Sequence, residues 1–508
     1  MRTLCLGLLW FGWVVGASCL AGCSAEGQTA DVLYPVEIAV STTSDWTFVR
    51  LAGATLVVET TTIEQGAGSP NLRVMTSGSL EIDKTSYDAT PVTVRVEAYI
   101  ANPSGTSIEI SIGKGHIGET TVAISAVGGA SPFVRYAHEG VAAGNSADNV
   151  RVFPLSVSVL AARVEPRLLQ APSASSPGGQ KVLAFYYPWY GTPTGPSGRW
   201  VHWNSAHANY DATHVPLSGY YDSLDPETVR RQIRQAKAAG IDGFIASWWG
   251  LGSFEDHAFA VLLRVAEEES FLVTIYYEDA ATPAQIVTDV STIVFRYASS
   301  PAFLSIDGRP VVFFYVRVAA KFTIDEWEGV FAALDANGRS VFAIGDRLDP
   351  SYLQAFQGLH AYNPVGMTLE ETRTQYAAAS LAARLAGGLF AATVIPGYQE
   401  GYPGAAGPVL GRADGATYRT YWEVARASKP QWILITSWNE WHEGTEIEPS
   451  VQFGGAYLEF TGEEVAAWKA GDPLPSAAAA APDRDGDGVP DAVDLCPDWP
   501  GSASTNGC

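Results

Sequence analysis

From Lys181 to Gly471 the chain alternates between two textures, and no other feature of the sequence restricts the fold as much. Eight short runs rich in β-branched, aromatic and aliphatic residues read as strands: KVLAFYYPW, DGFIASWW, FLVTIYYE, PVVFFYV, SVFAIGD, GLHAYNP, FAATVIPGY and QWILITSWNEW. Helical patterns lie between them. The clearest begins at Asp225, an N-cap, with Pro226 in the first helical position. Its apolar stripe is Val229, Ile233 and Ala236, and Gly240 stops it. This series of strand–helix units predicts a (β/α)8 barrel over 181–471. A doubly wound sheet is the other solution, but no glycine-rich phosphate turn follows the first strand.

Residues 31–170 read differently. ATLVVETTTI, VTVRVEAYI, SIEISI and NVRVFPLSVSV alternate in polarity between turn residues, and no amphipathic helix interrupts them. The expectation is an all-β sandwich, jelly-roll-like. DNVRVF (148–153) is reminiscent of jelly-roll carbohydrate-binding modules; glycan binding and mere spacing of the barrel are equal readings of it. APSASSPGGQ (171–180) and DPLPSAAAAAP (472–482) are linkers by composition.

The N-terminus sets the compartment. Arg2 precedes an apolar run, Leu4 to Leu20, too short for a mature membrane span and shaped like a signal peptide over 1–22. It ends Leu20-Ala21-Gly22-Cys23, which resembles the bacterial lipobox, so Cys23 is expected to carry the lipid and 23–30 to be a tether. Ser24, rather than Asp, implies the outer membrane of a Gram-negative bacterium, with the protein facing the periplasm or the cell surface. The remaining mature cysteines, Cys496 and Cys508, read as one local disulfide. In the same segment, 483–508, Asp483, Asp485, Asp487, Asp491 and Asp494 have spacings resembling a thrombospondin type 3 repeat, which implies structural Ca2+. Lys+Arg is 31 against Asp+Glu 54, a net charge of −23, which excludes an electrostatic grip on nucleic acid or an anionic bilayer. Membrane contact is left to the lipid, and the chain is expected to be a monomer.

Barrel enzymes carry their chemistry at the carboxyl ends of the strands. Here those ends hold Tyr187, Trp248, Trp249, Glu278, Tyr362, Trp438, Asn439, Glu440, Trp441, His442 and Glu443. There is no metal-ligand spacing and no G-x-S-x-G elbow among them, so no cofactor is expected for catalysis. His202, His207 and His214, after strand one, fit no ligand pattern and read as structural or substrate-loop residues. Aromatic walls around carboxylates suit glycoside chemistry: rings stack on sugar faces, and two carboxyls move protons around an oxocarbenium-like transition state. An isolated E-x-x-E is more often a capping or salt-bridging loop. Glu440 and Glu443, just past strand eight and flanked by Trp438 and Trp441, are instead the expected catalytic pair, with environments that push their pKa values apart. His442 either binds a hydroxyl or packs.

YYPWYG, HW, SWWG, YYED and above all WNEWHEGTEIEP, in this order, resemble glycoside hydrolase family 99, the retaining endo-α-mannosidases and endo-α-mannanases. A related family of polysaccharide loci shares the NEW-x-EG strand eight, but the Thr-Glu-Ile-Glu-Pro continuation looks closer to family 99. The resemblance covers the whole barrel and implies hydrolysis of α-mannan or N-glycan-like substrates through a 1,2-anhydro sugar. It implies that Glu440 acts on the 2-hydroxyl and that Glu443 is the general acid, then base. It implies that Tyr362 is an active-site tyrosine, that Glu278 is a third carboxylate holding the reacting sugar, and that Trp248 or Trp249 stacks at subsite −2. YYED departs from the His-x-Glu-Pro style of that family at strand three, which weakens the Glu278 assignment. The alternatives are a related enzyme on another α-glycan and a non-catalytic glycan-binding lipoprotein.

Overall fold

The computed structural model describes residues 178–203, 212–400 and 407–471, and of the earlier part only strand residues between 31 and 169. Eight parallel strands form the barrel: Lys181–Tyr186, Gly243–Trp248, Leu272–Tyr277, Arg309–Phe314, Phe342–Asp346, Gly358–His360, Leu389–Val394 and Trp432–Ile435. Each pairs with its sequence neighbours, and the first pairs with the eighth, so the sheet closes on itself.

Closure splits every strand into two faces because side chains alternate. Leu183, Phe185, Ile245, Val311, Phe313, Ile344 and Leu434 fill the barrel interior. Val182, Ala184, Tyr186, Phe244, Ala246 and Val273 point outward beneath the helices, where they meet Val229, Ile233, Phe259 and Leu262. The helices start where the sequence marks them. Asp225, Ser253, Thr282, Thr323 and Thr368 accept hydrogen bonds from first-turn backbone N–H groups, satisfying donors that have no intrahelical partner. Between strands five and six there is only a 3-10 turn, Pro350–Gln354.

The end of the expected 171–180 linker is part of the barrel. Trp432 Nε1 donates to Gly179 O at 2.9 Å. Gly178 has φ +78°, and a Cβ there would lie 2.9 Å from Ile306 Cδ1. These residues seal the floor opposite the strand carboxyl ends.

The described strands before residue 170 form two antiparallel sheets, as an all-β segment requires. In the larger sheet Val36, Ile38 and Val40 stand opposite Ala98, Val96 and Val94, and all six are buried. On the other face Leu33, Val57 and Ala101 pack on Leu381 and Ala382 of the barrel helix Leu369–Ala386. Asp31 ion-pairs with Arg384 and Lys429 at the edge of that contact.

Candidate active site

Residues 437–448 follow strand eight as one internally bonded loop. Ser437 N donates to Thr445 O at 2.9 Å, Ile447 N to Ser437 O at 3.0 Å and Glu448 N to Trp438 O at 2.9 Å. Glu440 N donates to Ser437 Oγ at 2.7 Å. Neighbouring loops hold it from outside: Thr213 N donates to Trp441 O and Gln399 N to Glu443 O, both at 2.7 Å. Arg412 Nη2 donates to Gly444 O, Glu446 O and Glu446 Oε1. Gly444 has φ +59°, and a Cβ there would meet Thr213 Cγ2 at 3.0 Å and Gln399 O at 3.2 Å, so the turn directly after Glu443 needs glycine. Backbone bonds of this density fix both carboxylates before substrate arrives, which is what preorganised catalysis requires.

The two carboxylates sit in different surroundings. Glu440 is 2% exposed, and its Oε1 accepts from His442 N at 3.0 Å and lies 3.3 Å from His442 Nδ1. His442 thus both packs on Tyr190 and orients a carboxylate. Glu443 Oε2 accepts from Tyr362 Oη at 2.9 Å. Burial, and then the charge of Glu440, push Glu443 up to about 8, against a smaller lowering by the Tyr362 hydrogen bond. Glu278, just past strand three, is buried and accepts from Ser247 Oγ at 2.7 Å. Burial raises it to about 8, and the charges of Glu440 and Glu443 add to that, while Ser247 and Arg317 oppose it. Glu278, past strand three, and Glu440 and Glu443, past strand eight, lie at the same carboxyl end of the barrel and share the pocket there.

Tyr187, Tyr362, Tyr276 and Tyr315 wall this pocket. Tyr187 and Tyr362 have centroids 6.4 Å apart, and Tyr315 and Tyr362 6.0 Å. Trp249 donates its Nε1 to Ser247 Oγ at 3.0 Å and remains 39% exposed, leaving ring surface open beside Glu278. Trp248 faces the other way. It is 1% exposed, lies in the layer under the helices, and donates to Asp256 Oδ1. Trp438 is likewise buried in the outer layer against Phe244, whereas Trp441 belongs to the inner cluster. The expectation that Trp248 and Trp438 line the site is corrected: strand alternation turns Trp248 outward, one residue out of phase with Ser247, and Trp438 is carried into the outer layer by the loop that leaves strand eight after Ile435.

His202 stacks on Trp189 at 4.0 Å, and His214 pairs with Glu446 at 2.9 Å, while His207 lies outside the described residues. Among the described residues no group of His, Cys, Asp or Glu is arranged to hold a metal ion, and no helix is long and apolar enough to cross a membrane. Cys23, Asp483, Asp485, Asp487, Asp491, Asp494, Cys496 and Cys508 also lie outside the described residues. Sequence reasoning missed Ser247 and Tyr315. Tyr315 follows strand four as Tyr187 follows strand one, so an aromatic just past a strand end was the available signal. Ser247 carries none, because a serine before two tryptophans looks like barrel lining.

Eight closed parallel strands with three carboxylates walled by aromatics at their carboxyl ends define a barrel hydrolase of glycosides. A family model described as glycosyl hydrolase family 99 matches residues 178–461. The chain belongs to glycosyl hydrolase family 99, and it is an endo-α-mannosidase-like glycoside hydrolase. It is 24% identical over 347 residues to a mouse glycoprotein endo-α-1,2-mannosidase-like protein, covering 56% of this chain and 74% of the relative. It is 25% identical to the rat glycoprotein endo-α-1,2-mannosidase, covering 53% and 68%. The structure of the family 99 endo-α-mannosidase from Bacteroides thetaiotaomicron superposes with a TM-score of 0.52 at 26% identity, over 57% of this chain and 98% of that one.

Proposed function

We propose that the chain is a retaining endo-α-mannosidase that cleaves internal α-mannosidic bonds through a 1,2-anhydro sugar. One observation carries this reading: Glu443 lies on the same internally bonded loop as Glu440 and accepts from Tyr362 Oη at 2.9 Å, where burial and the Glu440 charge push its pKa up and favour the protonated form that a departing oxygen needs. In the first step Glu440 takes the proton of the sugar 2-hydroxyl and O2 bonds to C1. The C1–oxygen bond to the leaving sugar breaks, and the Glu443 proton passes to that oxygen. In the second step Glu443 takes a proton from water, whose oxygen attacks C1. The C1–O2 bond opens and O2 recovers its proton from Glu440. Two inversions retain the α configuration. Glu278, backed by Ser247, holds the reacting sugar, and the part of the Trp249 ring left exposed beside Arg317 stacks on the next one.

The same proposal places the enzyme at an outer membrane through a lipid on Cys23, with Ca2+ held by the 483–508 repeat and its Cys496–Cys508 bridge. The N-terminal sheets form a jelly-roll sandwich in this reading.

The test is NMR of the earliest product from α-mannan or a capped N-glycan mannoside. An α anomer is expected, and a 2-deoxy substrate is expected to be inert. A β anomer, or turnover without the 2-hydroxyl, contradicts the mechanism. Glu443→Gln is expected to lose about 100- to 10,000-fold on substrates with poor leaving groups and much less on an activated aryl mannoside. Glu440→Gln is expected to be slow on both.

A further inference from the structure

Glu448 lies behind the catalytic loop, 4% exposed, and takes no part in the chemistry above. Its Oε2 accepts from Tyr221 Oη at 2.8 Å, and its Oε1 from Gln232 Nε2 at 2.9 Å. Tyr221 Oη in turn accepts from Asn439 Nδ2 at 3.1 Å and Trp441 Nε1 at 3.0 Å, the side chains on either side of Glu440. Asn439 clamps strand one: its Oδ1 accepts from Tyr187 N at 2.7 Å, and its Nδ2 donates to Tyr187 O at 3.0 Å. On the far side Tyr186 Oη donates to Gln232 Oε1 at 2.7 Å.

We infer that Glu448 is a positioning residue for the reaction: it is the terminal acceptor for the Tyr221 hydroxyl and the Gln232 amide, so that Tyr221 Oη is left to accept from Asn439 and Trp441, and it thereby aims the Asn439–Trp441 segment that presents Glu440. The argument is one of donor counting. A tyrosine hydroxyl has one proton and two lone pairs. To accept from both Asn439 and Trp441, the Tyr221 proton must point at Glu448. The Gln232 oxygen is already taken by Tyr186, so its amide must donate to Glu448 as well. A carboxylate is the one side-chain end that accepts on both oxygens and donates on neither. Burial pushes the Glu448 pKa up while its Gln232 and Tyr221 bonds hold it down, so the carboxylate is kept here at a solvation cost that those two donors offset. A glutamine in its place faces one donor with its own N–H2, whichever way the amide turns. One of the two links is then lost, and buried donors are left without acceptors.

The inference rests on the hydrolase assignment and not on the anhydro-sugar mechanism. It makes an unusual demand, that two damaging substitutions restore each other. In the pair Glu448→Gln with Gln232→Glu, the new glutamine accepts from Tyr221 and donates to the new carboxylate, which also accepts from Tyr186. Each single substitution is expected to lower kcat on an α-mannan oligosaccharide about 10- to 100-fold with little change in KM, and the double variant to recover to within about threefold of wild type. Amide hydrogen exchange of residues 437–448 in the full-length protein gives a readout that needs no substrate. Protection is expected to fall in each single variant and return in the double. Tyr221→Phe, which keeps the ring packing, is expected to show the same kcat loss and the same loss of protection. Wild-type protection in Glu448→Gln or Tyr221→Phe, or a double variant as impaired as the two singles multiplied, overturns the inference. A wild-type protein inactive on the mannan contradicts the mannosidase reading instead and leaves the exchange result decisive for Glu448.

Discussion

Tyr362 Oη, at the end of strand six, donates to Oε2 of Glu443, in the loop after strand eight, at 2.9 Å across 81 residues of sequence. The bond favours the ionised form of Glu443, while burial and Glu440 favour the protonated form more strongly. Glu443 therefore has a proton to give and a donor waiting for the charge left behind.

Tyr362→Phe is expected to lower kcat about 10- to 100-fold, the value of a hydrogen bond to a developing charge. The pH profile carries the sign. Cleavage needs protonated Glu443, so activity falls as pH rises past about 8. Removing the tyrosine proton raises the Glu443 pKa further, so this alkaline limb moves to higher pH. A limb that stays in place or moves lower contradicts the pairing.

Ser247 joins two binding groups through one hydroxyl, donating to Glu278 and accepting from Trp249. Ser247→Ala frees both at once. An increase in KM of about five- to thirtyfold with a smaller change in kcat is expected, from loss of roughly 1 kcal/mol for each of the two hydrogen bonds. Steady-state kinetics on an oligosaccharide long enough to reach Trp249 measures it, and an unchanged KM removes Trp249 from the binding surface.

Asp31 fastens the N-terminal sheet to the barrel. Burial raises its pKa, but hydrogen bonds and charges of Lys429 and Arg384 outweigh burial and hold the carboxyl below its ordinary range. The folded pKa is thus lower than the unfolded one. Its stabilisation is fully present above the unfolded value and is lost as pH falls through the folded value. Asp31→Asn is expected to lower stability by about 3 kcal/mol at neutral pH and to flatten part of the acid-side decline. Thermal unfolding of the full chain against pH checks both, and equal loss at every pH contradicts the ion-pair explanation.

Cys23→Ala is expected to abolish acyl labelling in a lipoprotein-processing host, since Cys496 and Cys508 lie at the other end of the chain. Calorimetry of the full chain is expected to show Ca2+ binding that disappears when Asp485 and Asp487 are replaced by Asn, with hydrolysis unaffected by chelation. Labelling that survives Cys23→Ala, or an absent Ca2+ signal with the disulfide formed, removes the corresponding proposal.

The sequence by itself determined the barrel and the address of its chemistry. Strand runs, N-caps such as Asp225 and Thr368, and helix stops are local signals, because a backbone N–H is capped within its own turn. Strand order then follows from chain order in a parallel barrel, so Glu440, Glu443 and Glu278 were assignable to one end before any contact was known. Tertiary structure alone decided which neighbour faces the pocket. Trp248 and Trp249 are equally apolar and adjacent, as are the indoles at 438 and 441 in character. Phase around a closed sheet depends on where each strand leaves its last hydrogen bond, and no local pattern records that. The Glu448–Gln232 contact spans 216 residues, and its meaning depends on the direction of protons donated by Tyr221 and Tyr186. Such directions exist only once the side chains are buried together, where water no longer supplies the missing partner.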